Sequence, residues 1–354
     1  MKDKFLLYGA YGYTGKLIIE ESLSKNLKPI IAGRKENLLA ALADKYNLEY
    51  RVFDLKDKEI IEENLKDIKV VLHAAGPFVH TAPPMVEACL ATGTHYLDIT
   101  GEYQIFEYCA ALHEKALQSN IMILPGTGFD VVPSDCLASY LKKKLPGATT
   151  LSLAFAGMNS GFSRGTAKTM IENLGKGGKV RLNGKLKNVP NAYKTENIDF
   201  GKFTIPSATI PWGDLSTAFY STGIPNIEVF MGMNDKMIKK LKLSNFLGWF
   251  FRLGIVKKYL KKQVNNKKEG PGKEQRAKGK SYFWGRVTDA MGNKKVARLS
   301  TAEGYTLTAL TSVLIVQKVL KDELKTGFQT PSTAYGENLI LEIPGYRFTD
   351  DQSD

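Results

Sequence analysis

Apolar positions in the first third of the chain alternate between two rhythms. Short continuous apolar runs stand at residues 5–8, 29–32, 50–53, 70–73, 95–99 and 121–124. Buried parallel strands read this way, because both of their faces are covered. Between the runs lie stretches with helical spacing, at 14–23, 37–46, 58–65, 84–92 and 103–119. Leu17, Ile18 and Leu23 mark the apolar side of the first, and Leu38, Leu39 and Leu42 that of the second. Such alternation predicts a parallel sheet with helices on both faces.

The texture changes near Ala148. Residues 152–156, 202–209, 226–231, 282–289 and 294–300 read as strands and 166–174 as a helix, with glycine-rich turns at 175–178 and 184. These pieces predict a mixed α+β domain. Residues 304–320 predict a long apolar helix, with Leu307, Leu310, Thr311 and Leu314 on one side. The expected organisation is α/β. A doubly wound parallel sheet occupies 1–135, with 303–354 packing back on it. A mixed substrate or dimerisation domain occupies 136–302. The polar end, 349–354, reads as unstructured.

The first strand runs into Gly9, Gly12 and Gly15, spaced G-x-x-G-x-x-G, and these open a helix. This is a variant of the Rossmann dinucleotide fingerprint. One glycine makes the tight turn, the next lets backbone approach a pyrophosphate, and the third lets helix and strand pack closely. The diphosphate then meets backbone amides at the positive end of the helix dipole. Tyr11, Tyr13 and Thr14 lie in the same loop; the two tyrosines flank the cofactor or simply pack. The second strand ends at Arg34, where an NAD enzyme carries an acid for the ribose 2′-hydroxyl. A guanidinium pairs bidentately with a 2′-phosphate, so NADP(H) is expected over NAD. Asp54 ends the third strand, where it contacts the adenine edge or caps the next helix. Ala75, Gly76, Pro77 and Phe78 follow the fourth strand, small residues that leave room for nicotinamide and then an apolar wall.

Lys and Arg outnumber Asp and Glu by 49 to 36. The excess is local: residues 236–280 hold 15 basic side chains against Glu269 and Glu274. A general nucleic-acid binder is disfavoured, since no nucleic-acid motif accompanies the charge. Within this region, 237–264 interleaves lysines with Phe246, Trp249, Phe250 and Phe251. Such a stretch lies on an anionic membrane, lines a greasy substrate entrance or packs on its own domain. Residues 267–280 read as a flexible basic loop. Cys89, Cys109 and Cys136 form no C-x-x-C pair, which predicts neither disulfide framework nor zinc site and fits a reducing, cytoplasmic compartment. His73, His80, His95 and His113 show no metal spacing and read as structural. No apolar run is long enough to predict a spanning helix.

The glycine loop, the Ala32-Gly33-Arg34 step, the Ala-Ala-Gly-Pro-Phe run at 74–78 and the segment 95–102 together resemble the saccharopine dehydrogenase-like family. The similarity extends through residues 125–135, 163–167, 177–178, 210–214 and 303–305, and points to the branch with the trans-acting enoyl reductases. The resemblance implies an NADP-dependent oxidoreductase with a Rossmann domain and a second α/β domain. It does not imply saccharopine as substrate, because no substrate-binding arginines can be matched residue by residue.

Hydride transfer asks the protein mainly for positioning. Asp130 lies just past the sixth strand and either orients substrate or caps backbone. Asp98 and Glu102 flank the turn after the fifth strand, as catalytic candidates or as packing and capping residues. The expected function is hydride transfer to or from a small or lipid-like substrate, enoyl reduction included. The competing reading is a non-catalytic NADP-binding sensor or scaffold. A homodimer and peripheral membrane contact are compatible with either.

Overall fold

The computed structural model describes residues 2–158, 161–266 and 268–351. Lys267 in the basic segment and residues 352–354 of the polar end lie outside the described residues. The chain divides into two compact units, Met1–Val132 with Tyr305–Tyr335, and Pro133–Gly304 with Gly336–Asp354.

The first unit is a seven-stranded sheet wrapped by helices. Its strands are β1 (Lys4–Tyr8), β2 (Ile30–Gly33), β3 (Tyr50–Val52), β4 (Ile68–His73), β5 (His95–Asp98) and β6 (Met122–Leu124). The helices between them are α1 (Tyr13–Ser24), α2 (Glu36–Tyr46), α3 (Lys58–Leu65), α4 (Phe78–Thr92), α5 (Tyr103–Ala111) and α6 (His113–Gln118). A late strand, Gly327–Phe328 (β15 in chain order), pairs with β6, giving the order β15-β6-β5-β4-β1-β2-β3. All six pairings are parallel. Leu6, Leu7, Val71 and Leu72 are fully buried, which explains the unbroken apolar strands. Strand order reverses between β1 and β4, so a crevice opens at their carboxyl ends, where such sheets hold ligands.

Two histidines help to fix this sheet. His95 Nδ1 accepts the Met122 amide at 3.0 Å, and His113 Nδ1 accepts the Phe328 amide at 3.2 Å. The long apolar helix, Gly304–Leu320 (α14 in chain order), clusters with this unit from Tyr305 onward. Its polar side chains fasten it to the loop after β6. Thr308 Oγ1 accepts the Phe129 amide at 3.0 Å, Thr311 donates to the Thr127 carbonyl at 2.7 Å, and Ser312 and Thr127 hydroxyls meet at 2.9 Å.

The second unit contains α7 (Val132–Lys144) and a mixed nine-stranded sheet. Its strands are β7 (Ala148–Met158), β8 (Gly178–Leu182), β9 (Lys185–Val189), β10 (Thr195–Asp199), β11 (Thr204–Thr209), β12 (Asn226–Gly232), β13 (Lys280–Asp289), β14 (Lys294–Ala302) and β16 (Phe348–Asp350). Its other helices are α8 (Arg164–Asn173), α9 (Asp214–Thr222), α10 (Asp235–Leu243), α11 (Gly248–Arg252), α12 (Gly254–Asn265) and α13 (Lys273–Lys278). Pro331–Tyr335 is a last short helix, α15, in the first unit. β12 runs parallel to β7, while β13 pairs antiparallel with β7 along its whole length.

Three expectations change. The tail does not all return to the first unit: residues from Gly336 cluster with the second, where β16 pairs with β14. Thr349 and Asp350 are therefore ordered in a strand, because Leu299 and Arg298 offer an open sheet edge. The supposed flexible loop at 267–280 contains α13, whose first turn Gly272 caps and whose Arg276 donates to the Pro271 carbonyl at 3.0 Å.

Candidate functional site

The carboxyl edge of the first sheet is built from the loops that follow β1 to β6. The first leaves β1 at Gly9, whose φ of +87° suits glycine. A Cβ there would stand 2.8 Å from Ala75 Cβ, so the glycine loop and the loop after β4 press together at the switch point. Gly15 lies where a Cβ would meet the Gly9 and Ala10 carbonyl oxygens at 2.6 and 2.7 Å, which lets α1 sit close against β1. Gly12 caps α1 with no side chain, and the first turn carries no acid. The positive helix end thus faces the crevice without a built-in carboxylate.

Tyr11, Tyr13 and Thr14 are all half-buried. The Tyr11 ring lies against Gly33, and its hydroxyl accepts the Arg34 amide at 3.4 Å, tying the glycine loop to the end of β2. Tyr13 meets Tyr305 of α14 edge-on, ring centroids 5.0 Å apart. Arg34 is exposed and forms no ion pair with the described residues. Asp54 is half-buried and accepts the Lys56 amide at 2.9 Å, holding the turn, while Asp57 caps α3.

Past β4, Ala75 is half-buried, Gly76 exposed and the Gly76–Pro77 peptide cis. Pro77 caps α4 and Phe78 begins it. The expected start near Pro84 is six residues late. Glu102 explains this, since its carboxylate accepts the Phe78 and Val79 amides at 2.8 and 3.1 Å. It caps a helix distant in sequence. His73 sits fully buried among Tyr8, Phe78 and Tyr96, at centroid distances of 5.4, 5.3 and 6.4 Å. Neither ring nitrogen has a partner among the described residues, and burial pushes its pKa down to about 3. It is a neutral aromatic under the crevice floor.

Asp98, Glu102 and Asp130 converge past β5 and β6. Asp98 is fully buried and accepts the Thr100 and Gly126 amides at 2.9 and 2.8 Å and the Tyr96 hydroxyl at 2.8 Å. Burial pushes its pKa up to about 7, against the pull of those bonds. These contacts brace two loops. Asp130 packs on Gly101, where a Cβ would stand 2.9 Å from its carboxyl carbon. Burial, then the Glu102 and Asp98 charges, push its pKa up to about 7. Among the described residues no group of His, Cys, Asp and Glu is placed to hold a metal ion, and Cys89, Cys109 and Cys136 are free and buried. No described helix is long and apolar enough to cross a membrane.

Two sets of contacts at this edge were not legible in the sequence, although Tyr305 falls in the family-like segment 303–305 and Thr311 on the apolar side of its helix. Tyr305 reaches the glycine loop from far along the chain, and Thr308 with Thr311 and Ser312 braces the loop carrying Asp130. Their signal was present: hydroxyls at i, i+3 and i+4 on a helix otherwise apolar.

Comparison with known proteins agrees with this geometry. Residues 5–124 match the model of the saccharopine dehydrogenase NADP binding domain. A saccharopine dehydrogenase-like oxidoreductase of Mus musculus is 29% identical over 201 residues, covering 50% of this chain and 47% of that protein. A trans-acting enoyl reductase of Mycobacterium ulcerans (strain Agy99) is 30% identical over 159 residues, covering 43% of this chain and 38% of that protein. The chain thus matches about half the length of the first of these curated relatives, and less of the second. The fold is also that of apo saccharopine dehydrogenase (L-Glu forming) from Saccharomyces cerevisiae, with a TM-score of 0.67 at 13% identity, covering 99% of this chain and 100% of that one. Residues 5–124 thus match the saccharopine dehydrogenase NADP binding domain, and about half of the chain is similar to saccharopine dehydrogenase-like oxidoreductases.

Proposed function

We propose that the chain is an NADP(H)-dependent oxidoreductase that moves hydride to or from a small or lipid-like substrate, with enoyl reduction one such reaction. The observation that carries this reading is the bare amino end of α1 at the switch point, with a guanidinium unengaged one strand away. The fit of a dinucleotide rests on space as well as charge. A Cβ at Gly12 would come within 3.1 Å of the Gly9 oxygen and fill the cradle that the amides line.

In this reading Gly9, Gly12 and Gly15 with Tyr11, Tyr13 and Thr14 hold the diphosphate, and Arg34 pairs with the 2′-phosphate. Asp54 borders the adenine side. Ala75 and Gly76 leave space for the nicotinamide, with Pro77 and Phe78 as its wall. NADPH supplies hydride from its nicotinamide C4. Asp130 is the group assigned to hold a proton or orient substrate, since a carboxyl raised to about 7 is half-protonated near neutrality. Asp98 and Glu102 act as positioning residues for the loops around it.

A second reading, an NADP-binding sensor without catalysis, is favoured by one observation: Asp98 and Glu102 are both committed to backbone amides. Deuterium at C4 of NADPH distinguishes the two. The chain is incubated with panels of α,β-unsaturated thioesters, ketones and imines, and products are read by mass spectrometry. Deuterated product supports the enzyme; NADPH binding without transfer to any class supports the sensor.

A further inference from the structure

Residues 236–268 hold eleven lysines and arginines and no acid. The structure sorts them into an anchored side and a presented side. Ile238 and Val264 are buried, Lys257 donates to the Glu172 carbonyl at 2.8 Å, and Lys261 pairs with the Glu172 carboxylate. Arg252 donates to the Gly175 carbonyl at 2.8 Å. At Gly175 a Cβ would stand 2.5 Å from the Gly248 oxygen, so α11 sits directly on this glycine turn. The helices are fixed to their own unit, and what they hold outward is apolar. Phe246 is 80% exposed, Trp249 69%, Ile255 78% and Tyr259 61%. On α12, Ile255 and Tyr259 form one outward row and exposed Lys258 and Lys262 the next. A scaffold that holds aromatic rings in water beside unpaired lysines needs a partner that is apolar and anionic together.

We propose that α10, α11 and α12 form an interfacial docking surface for an anionic lipid bilayer. Phe246, Trp249 and Ile255 enter the boundary between headgroups and acyl chains, and exposed lysines such as Lys239, Lys240 and Lys242 meet anionic headgroups. Charge argues against a second copy, since an isologous contact would lay two lysine-rich patches on each other, with Asp235 the one acid on the three helices. Residue choice argues against nucleic acid. The single arginine is spent on Gly175, and beside the rings stand the exposed aliphatic side chains of Leu243, Leu253 and Ile255, which cannot stack on bases but do enter acyl chains. None of these helices can span a bilayer, so the contact is in-plane.

Sedimentation of the full chain with vesicles tests this. Phosphatidylcholine vesicles with and without phosphatidylserine are compared at low and high salt. Binding is expected to the anionic vesicles and to be released by salt. Lipids brominated in their acyl chains should quench the protein's tryptophan emission, and Trp249→Phe should remove most of that quenching, because Trp284 is buried and Trp212 is half-buried against Phe155, away from these helices. Lys239→Gln/Lys240→Gln/Lys242→Gln should weaken partitioning by roughly a hundredfold, at about fivefold per lysine. Phe246→Ser/Trp249→Ser should weaken it at least tenfold. An unchanged NADPH-induced rise in melting temperature shows that the variants fold, and its absence in the wild type would count only against the cofactor reading. The proposal is overturned by no sedimentation with anionic vesicles at low salt, by variants that bind equally, or by light scattering showing a dimer that Phe246→Ser/Trp249→Ser abolishes.

Discussion

Replacing Gly12 by Ala separates binding from folding. Gly12 has φ −68° and ψ 163°, which an alanine adopts without strain. The new methyl would lie 3.1 Å from the Gly9 oxygen, so a neighbour must yield by a few tenths of an ångström. Alanine also caps a helix less well than glycine, and together these effects cost about 1 kcal/mol, a few degrees of melting temperature. The same methyl stands where the diphosphate approaches the α1 amides. Lengthening one charge-assisted hydrogen bond costs about 1.5–3 kcal/mol, or tenfold to a hundredfold in Kd. Gly15→Ala serves as the contrast, because its Cβ would meet two backbone oxygens at 2.6 and 2.7 Å and stability should fall first. NADPH fluorescence titration with parallel thermal melts reads both variants. Gly12→Ala binding NADPH within twofold of the wild type would refute the cradle.

Arg34→Ala should weaken NADPH at least tenfold and NADH less than threefold by calorimetry, since only the former carries the 2′-phosphate; equal losses would remove the assignment. Glu102→Gln leaves one α4 amide facing an NH2 group, and should lower stability by about 1–2 kcal/mol in thermal melts. An unchanged melting temperature would mean the cap is dispensable. For Asp130 the folded pKa of about 7 lies above the ordinary 3.8, so the folded state binds the proton more tightly. Its stabilising contribution is complete below pH 3.8 and is lost as pH rises through about 7. Melting temperature should therefore fall less steeply between these limits in Asp130→Asn than in the wild type; parallel curves would contradict the raised pKa.

What the sequence disclosed and what it hid follow from the range of the interactions. The parallel sheet was legible because each strand carries its own apolar run, as at 5–8 and 70–73, and the glycine spacing is local. The start of α4 was hidden because its cap, Glu102, lies 24 residues from Phe78, and Pro83 and Pro84 imitate a helix start. The β8–β9 hairpin showed only as a glycine turn. Its Asn183-Gly184 link has positive φ at both residues, the local signature of a tight hairpin, but the flanking strands are mixed in character. The tail went to the wrong unit because β16 owes its place to the free edge of β14, a feature visible only once the sheet exists. At the site, the loops after β1, β2 and β4 were readable, whereas the commitment of Asp98 to two amides and a tyrosine hydroxyl depends on β5 and β6 lying side by side.

The central claim is that this carboxyl edge holds a nicotinamide dinucleotide by its diphosphate and its 2′-phosphate. Calorimetric titration of the full chain with NADPH and, separately, NADH tests it most directly. One molecule of NADPH per chain, bound at least tenfold more tightly than NADH, is the predicted result; no heat with either nucleotide at millimolar concentration, or tighter binding of NADH, would contradict it.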